Sequence, residues 1–244
     1  MIEANPVRLP SLQAKAAFLN QHEWRRKQFE DAHTTPTQVS VANVLLGSRD
    51  ADTVDFYQTK RPGGGTGDSM YRENSNYYSA EGNDFEVMQY PMRSLDSLSH
   101  EDPLHFAGVD FLKLDVQGAE LEVLQGAKDA LSEEGTVNFV LLEAPLSGEF
   151  NEGAPDLTEY LTFMKAWNFS VIDIFEVHHL EESENELRHP TALQVDLLFA
   201  RNSRRGFDDK LQLRNIQNKD GRIHGPERAL YVFSGRDKYP DGVY

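Results

Sequence analysis

The chain has no cysteine, and this absence excludes several kinds of chemistry. Disulfide bonds, zinc–thiolate sites and cysteine nucleophiles all need a thiol. Long apolar runs are also missing. None approaches the roughly 18 consecutive apolar residues of a membrane-spanning helix, so we expect no membrane span. The first residues lack the basic and apolar regions of a signal peptide, which favours a cytoplasmic protein.

Basic residues are few: 24 Lys and Arg stand against 40 Asp and Glu, and the formal net charge is −16. Such a surface repels a phosphate backbone, so we expect no nucleic-acid partner. Hydrophobic residues make up 39% and charged residues 26% of the 244 residues, which is ordinary for a globular protein. A chain of this length holds one α/β domain with or without an appendage.

The pattern of apolar residues predicts alternating strands and helices. Runs rich in β-branched and aromatic residues predict seven strands, at residues 39–46, 54–57, 85–92, 109–115, 137–143, 169–177 and 194–200. Three helices are predicted, at 11–31 after an N-cap at Ser11, at 120–131, and from Asp156 to about 167 with a capping box formed with Glu159. This alternation favours a mostly parallel, doubly wound sheet with an antiparallel final pair, because no helix separates the last two strands.

Two segments fall outside this pattern. Residues 58–84 are rich in Gly, Asn, Ser and Tyr, and loops of this length often form lids or binding loops. The tail from 206 to 244 is polar and contains Gly-Pro and Asp-Gly breakers. We therefore predict a domain over residues 1–205 and a peripheral appendage over 206–244.

Acidic residues and a histidine follow the predicted strands. Ligands of an open parallel sheet bind outside the carboxyl ends of its strands. Asp115 and Glu143 end two of these strands, and His178 follows a third. Together with Glu176 and Asp196 they could suggest a divalent metal, but no recognised ligand spacing supports one, so the sequence predicts none.

One of these strand ends belongs to a recognisable motif. The segment Phe-Leu-Lys-Leu-Asp-Val-Gln-Gly-Ala-Glu-Leu-Glu-Val-Leu at residues 111–124 resembles the signature of the FkbM-type methyltransferase family. Further motifs agree with that family in order, at residues 2–6, 94–98, 140–143, 149–155 and 193–200. The resemblance covers about residues 2–201. It implies the Rossmann-like class I methyltransferase fold, S-adenosylmethionine as the methyl donor, and O-methylation of a sugar or other small molecule.

The resemblance also implies roles for single residues. Glu3 would end the second strand and accept hydrogen bonds from the ribose hydroxyls of the cofactor, since a diol offers two donors to two carboxylate oxygens. Gly47 and Ser48 would lie near the adenine, where the family more often has Asp at the position of Ser48. Ser69 would belong to a loop beside the cofactor, and Asp115 would face the sulfonium or the incoming hydroxyl.

Methyl transfer to a hydroxyl needs a group that removes a proton. The acceptor oxygen must be held close to the methyl carbon while its proton leaves. The candidates are Asp115, His178 and Glu143. Asp115 ranks first as a site residue, either as the base or as a residue that orients the acceptor. His178 has the more suitable intrinsic pKa for a base at neutral pH.

A glycine-rich turn is the most consequential absence. Class I methyltransferases begin with a strand and a turn of the type Asp-x-Gly-x-x-x-Gly, and no such turn follows a predicted strand here. The first, central strand is therefore expected to be missing, because the sequence is incomplete at its N-terminus, because the chain is a truncated relative, or because a partner chain supplies the strand. The rival to an enzyme is a non-catalytic methyltransferase-fold protein that acts as an interaction module or as part of a homo- or hetero-oligomer.

Overall fold

The computed structural model describes residues 1–21, 39–60, 67–72, 85–146, 151–179, 192–202 and 229–233. Its strands are β1 (Ile2–Glu3), β2 (Ala42–Asn43), β3 (Leu45–Leu46), β4 (Ala51–Thr59), β5 (Phe85–Arg93), β6 (Phe111–Asp115), β7 (Phe139–Pro145), β8 (Phe169–His179), β9 (Ala192–Arg201) and β10 (Ala229–Phe233). Its helices are α1 (Leu9–Gln21), α2 (Leu95–Glu101), α3 (Pro103–Phe106), α4 (Glu120–Gln125), α5 (Lys128–Leu131) and α6 (Leu157–Ala166).

The described strands form two sheets. The larger has seven strands in the order β2-β1-β10-β6-β7-β9-β8, and the smaller has three in the order β3-β5-β4. The first five strands of the large sheet are parallel, whereas β9 runs antiparallel to both β7 and β8. The structure is thus of the α/β class with mixed sheets, and the antiparallel final pair is confirmed.

Strand β10 lies in the centre of the large sheet. It pairs with β1 on one side and with β6 on the other, at the position where the first strand was expected to be missing. Residues 229–233 belong to the segment predicted to be a peripheral appendage, yet they complete the sheet. Ala-Leu-Tyr-Val-Phe is an apolar run of strand-forming residues, but it is only five residues long and is surrounded by polar residues and breakers.

The predicted strand 39–46 is divided between the sheets. Ala42–Asn43 pairs with β1 in the large sheet, and Leu45–Leu46 pairs with β5 in the small one. Between them the side-chain amide of Asn43 donates to the carbonyl oxygens of Glu3 and Ala4, at 2.8 and 3.0 Å. These bonds hold the point at which the chain leaves the large sheet.

The predicted helix 120–131 is also divided, into α4 and α5. The break follows Gly126, which lies against the backbone of Gly47 so closely that a Cβ atom at Gly126 would overlap the Gly47 carbonyl oxygen. The Gly126 carbonyl in turn accepts a hydrogen bond from the Asp96 amide at 2.9 Å. The helix is therefore interrupted at a glycine in its own sequence, and tertiary contacts with Gly47 and Asp96 hold the interruption in place.

The remaining helix predictions have mixed outcomes. The capping box of α6 is confirmed, because Asp156 accepts from the Glu159 amide at 3.0 Å while Glu159 accepts from the Asp156 amide at 2.9 Å. The N-cap at Ser11 is wrong, since α1 begins two residues earlier at Leu9. Residues 22–31 of that predicted helix lie outside the described residues.

The core lies between the large sheet and its helices. Leu112, Leu114, Val140 and Leu142 on the sheet are fully buried, and they share one cluster with buried residues of α4 and α6, namely Val123, Leu124, Tyr160 and Met164. Consecutive residues of a strand point to opposite faces, so Lys113, Asp115 and Glu143 lie on the other face of the sheet. Among the helices described, none has the length and apolar character needed to cross a bilayer.

Candidate active site

One row across the carboxyl end of the parallel strands has polar residues on both sides of Phe233. Asn43 is in register with Glu3, Glu3 with Phe233, and Phe233 with Asp115. Residues in register share a face of the sheet, and neighbouring strands lie about 4.8 Å apart, so the Cα atoms of Glu3 and Asp115 are about 10 Å apart. The row thus places two carboxylates two strands apart on one face.

The row continues through the next two strands. Because Leu114 pairs with Leu142, Asp115 is followed in line by Glu143, and Glu143 pairs with Asp196 of β9. Burial raises the pKa of Asp196, although the charges of His178 and Lys113 oppose this shift. Three neighbouring strands therefore bring three acidic side chains to one edge.

Asp115 is held by two polar partners. Its Oδ2 atom lies 3.5 Å from Nζ of Lys113, and its Oδ1 atom accepts a hydrogen bond of 3.1 Å from Nε2 of Gln117. The same Gln117 nitrogen lies 3.4 Å from Oε2 of Glu143. Gln117 is 2% exposed and connects the two carboxylates.

His178 joins this group from strand β8. Its Nε2 atom lies 3.4 Å from Oε1 of Glu143, and its Nδ1 atom lies 3.9 Å from Oε1 of Glu176. Glu143 thus meets Gln117 with one oxygen and His178 with the other. The three residues proposed from the sequence for catalysis, Asp115, His178 and Glu143, lie in one cluster.

The turn after β6 is held in an unusual conformation. Gln117 and Gly118 both have positive φ angles, of 53° and 92°. The Gln117 carbonyl accepts hydrogen bonds from the Ser69 hydroxyl at 2.8 Å and from the side-chain amide of Asn151. Ser69 itself forms a bridge with Tyr57 of β4. In these contacts Ser69 supports the turn that presents Gln117.

Glu120, at the start of α4, is a second support for this turn. It is 1% exposed, and its oxygens accept hydrogen bonds from the Val116 amide at 2.8 Å and from the Tyr160 hydroxyl at 3.1 Å. Burial raises the pKa of Glu120 to about 7 and also raises the pKa of Tyr160. The fixed carboxyl group ties strand β6 to helix α6 on the far side of the turn.

A separate polar group surrounds Glu3 at the other end of the row. Glu3 is 1% exposed and accepts a hydrogen bond of 2.8 Å from the Asn5 amide, while burial raises its pKa to about 7. The Asn5 side chain donates to Asp68 at 2.6 Å, and Asp68 accepts two further bonds of 2.8 Å from Thr59. The strand end is thus linked to the described part of the 58–84 segment.

Gly47 lies elsewhere. Its amide donates to the Arg93 carbonyl at 3.0 Å, a Cβ atom there would overlap Met92, and its own carbonyl packs on Gly126 at the C-terminal end of α4. Asp115 and Glu120 lie at the N-terminal end of that helix. The contacts of Gly47, which Ser48 follows directly, thus lie at the opposite end of α4 from Asp115, and the residue that pairs with Glu3 is Asn43.

Three residues of this region were not predicted from the sequence. Asn43 interrupts an apolar run, and that interruption was the available signal of a strand end. Tyr160 follows Asp156 by four residues and precedes Met164 by four, which places it on the buried side of α6. Asp68, in contrast, lies in a glycine-rich segment with nothing in its surroundings to mark it as buried.

A comparison with protein families decides the family. A family model described as the methyltransferase FkbM domain matches residues 1–171, well over half of the chain. The chain belongs to the FkbM methyltransferase family. Searches of curated proteins and of solved structures gave no match. The FkbM match includes Glu3, Ser69, Asp115 and Glu143, and it ends before His178, Asp196 and β10.

Proposed function

We propose that this FkbM-family protein transfers a methyl group from S-adenosylmethionine to a hydroxyl of a sugar or other small molecule. The observation that carries the proposal is the row at the carboxyl edge, which aligns Glu3 with Asp115 across the centre of the sheet. The carboxyl ends of parallel strands are where such sheets bind nucleotide-like ligands.

The side chains present suit the two ends of that cofactor. Glu3 would accept hydrogen bonds from the ribose hydroxyls, and Asp115 would face the cationic sulfonium. When bound, S-adenosylmethionine supplies the electrophilic methyl group. A buried Glu3 with a pKa of about 7 is well placed for this task, because two hydroxyl donors favour its ionised form.

Asp115 is better suited to orientation than to proton removal. Both of its oxygens already have partners, Lys113 and Gln117, so it provides a fixed negative charge. Proton removal from the acceptor then falls to the neighbouring pair of Glu143 and His178, whose carboxylate and imidazole lie 3.4 Å apart. This assignment divides the row into a cofactor side at Glu3 and an acceptor side at Glu143.

Isothermal titration with S-adenosylhomocysteine tests the cofactor side. We expect the wild-type chain to bind S-adenosylhomocysteine saturably. The Glu3→Gln variant should bind it at least about tenfold more weakly, because a hydrogen bond to a charged group contributes about 1.5–3 kcal/mol. Glu101→Gln, an exposed site on α2, serves as the matched control and is expected to bind normally. A folded wild-type chain that releases no heat would refute cofactor binding.

Turnover of an Asp115→Asn variant tests the reacting side, with an acceptor found in a panel of sugars and phenols. We expect kcat to fall by about a hundredfold, as for the loss of one preorganised electrostatic group, while affinity for S-adenosylhomocysteine changes much less. Asp110→Asn, just before the amino end of the same strand, is the control. Normal turnover by Asp115→Asn would remove Asp115 from the site.

The supply of an inner strand by β10 favours one alternative, a non-catalytic protein with the methyltransferase fold. Among the described strands, the one between β1 and β6 is β10, and the sequence that follows it, beginning Ser234-Gly235-Arg236-Asp237, does not contain an Asp-x-Gly-x-x-x-Gly motif. A chain that keeps the methyltransferase fold without binding the cofactor, as an interaction module, would have this character. Cooperative unfolding without any binding of S-adenosylhomocysteine is the result that would support this alternative.

A further inference from the structure

Three side chains on the acceptor side of the row form a group with metal-binding geometry. Glu143, His178 and Asp196 each offer one ligand atom, and these atoms all lie within 4.8 Å of one another. They come from β7, β8 and β9, three adjacent strands that pair along most of their length. We propose that these three residues bind a divalent cation.

The pair formed by Glu143 and His178 has the spacing that a shared ion requires. Ligand atoms about 2.1 Å from one ion, at tetrahedral or octahedral angles, lie roughly 3.0–3.5 Å apart. Oε1 of Glu143 and Nε2 of His178 are separated by 3.4 Å. Asp196 faces Glu143 directly across the β7–β9 ladder, and its ligand atom lies within 4.8 Å of the other two.

The groups behind these ligands are a second and independent indication. A metal-binding histidine usually has a carboxylate or carbonyl at its other ring nitrogen, which fixes the ring and its tautomer. The Gln117 amide donates to Oε2 of Glu143 at 3.4 Å, and Oε1 of Glu176 lies 3.9 Å from Nδ1 of His178, within ion-pair distance but beyond a hydrogen bond. Glu143 therefore has an outer hydrogen-bond partner, and His178 has a carboxylate nearby, each at the atom that the ion would not use.

The donor set indicates which cations fit. One imidazole and two carboxylates form a mixed nitrogen–oxygen site. Such a site suits Mn²⁺, Fe²⁺ or Zn²⁺, whereas Mg²⁺ and Ca²⁺ prefer sites made of oxygen ligands alone. Two carboxylates and a neutral imidazole carry a net charge of −2, which one divalent ion neutralises. Three protein ligands also leave coordination positions for a substrate oxygen.

The position of the site suggests its use. It adjoins Asp115 through Gln117, so a bound cation would hold the acceptor hydroxyl beside the reacting centre and lower the pKa of that hydroxyl. With the cation bound, Glu143 and His178 would serve as its ligands in place of the base described above, and the acidified hydroxyl would release its proton to solvent. This role rests on the proposed function, whereas cation binding itself does not. Measuring cation binding without S-adenosylmethionine or acceptor tests the cation site independently of the proposed methyl transfer.

Electron paramagnetic resonance of Mn²⁺ titrated into the full chain tests the site. We expect one saturable Mn²⁺ per chain, and a His178→Ala variant that binds at least about tenfold more weakly because a ligand is lost. Asp196→Asn provides a second variant with little change in shape, and thermal unfolding checks that each variant is folded. His100→Ala is the matched control, since His100 lies on the surface, where Asp129 is its carboxylate neighbour among the described residues, at 3.5 Å.

Two results would overturn the proposal. One is a wild-type chain that shows no saturable binding of Mn²⁺. The other is binding by folded His178→Ala and Asp196→Asn variants that equals binding by His100→Ala. Failure of the chain to bind S-adenosylhomocysteine, with Mn²⁺ binding intact, would count against the proposed methyl transfer and leave the cation site standing.

Discussion

Glu120 is a buried carboxyl group whose protonation is linked to folding. Its pKa is about 7 in the folded protein against an ordinary value of 4.5. Between these values the folded state keeps a proton that the unfolded chain has released, so stability is lost as the pH rises through this window. The shift corresponds to an upper limit of about 3 kcal/mol. Glu3, with a similar pKa, acts in the same direction.

A Glu120→Gln variant should therefore lose less stability than the wild type between pH 5 and pH 8. Glutamine has the same shape and can still accept from the Val116 amide, but it has no charge to bury. The free energy of unfolding in urea at several pH values measures the difference. Glu133→Gln, at an exposed position, is the control. A Glu120→Gln variant with the pH dependence of the wild type would show that Glu120 does not titrate in this window.

At the scale of elements, the turn between β6 and α4 depends on a glycine. Gly118 has a φ of 92°, and a Cβ atom there would lie 2.9 Å from Nδ2 of Asn151 and 3.0 Å from Cβ of Ala154. Gly153 has a φ of 78°, and a Cβ atom added there would have no atom of the described residues within 4 Å. The two glycines share the backbone conformation and differ in the space around them.

Alanine substitutions at Gly118 and Gly153 should distinguish the cost of backbone strain from the cost of overlap with Asn151 and Ala154. Left-handed backbone costs a non-glycine residue about 1–2 kcal/mol, so we expect that loss for Gly153→Ala and a larger one for Gly118→Ala. Urea unfolding of both variants gives the comparison. Equal losses would mean that Asn151 and Ala154 move aside without cost.

Elements governed by local chemistry could be predicted from the sequence. The capping box at Asp156 depends on residues three apart, and strands β6 and β7 follow from short segments rich in apolar, strand-forming residues. The meeting of Asp115, Glu143 and His178 follows from the rule that neighbouring strands end at one edge.

Elements governed by distant contacts could not be predicted. The break after Gly126 depends on Gly47, almost 80 residues earlier, and the pairing of Asn43 with Glu3 depends on where the chain leaves the sheet. Strand β10 is the largest case, because five apolar residues in a polar segment do not indicate which strands they will join.

At the scale of the whole molecule, β10 joins two halves of the sheet. Strands β2 and β1 lie on one side, and β6, β7, β9 and β8 lie on the other. Without β10, the edges of β1 and β6 would present unpaired backbone groups in the middle of the core, which is a serious cost in a parallel sheet.

Deletion of residues 229–244 should therefore abolish cooperative unfolding or cause aggregation. Deletion of residues 234–244 alone, which keeps β10, is the control and is expected to retain a single unfolding transition. Circular dichroism during heating, together with size-exclusion chromatography, distinguishes the two variants. A cooperative, monomeric protein after the longer deletion would show that the sheet does not need β10.

The place of β10 also sets an order of events in the cell. Ile2 pairs with Val232, so the two halves of the sheet can be joined only after the ribosome has added more than 200 residues beyond the first strand. At about 5–20 residues per second, synthesis from β1 to β10 takes at least about ten seconds, and during that time the edge of β1 that pairs with β10 has no partner from β10. During synthesis this protein should depend on chaperones that cover exposed strands, more than a protein whose central strand is made first.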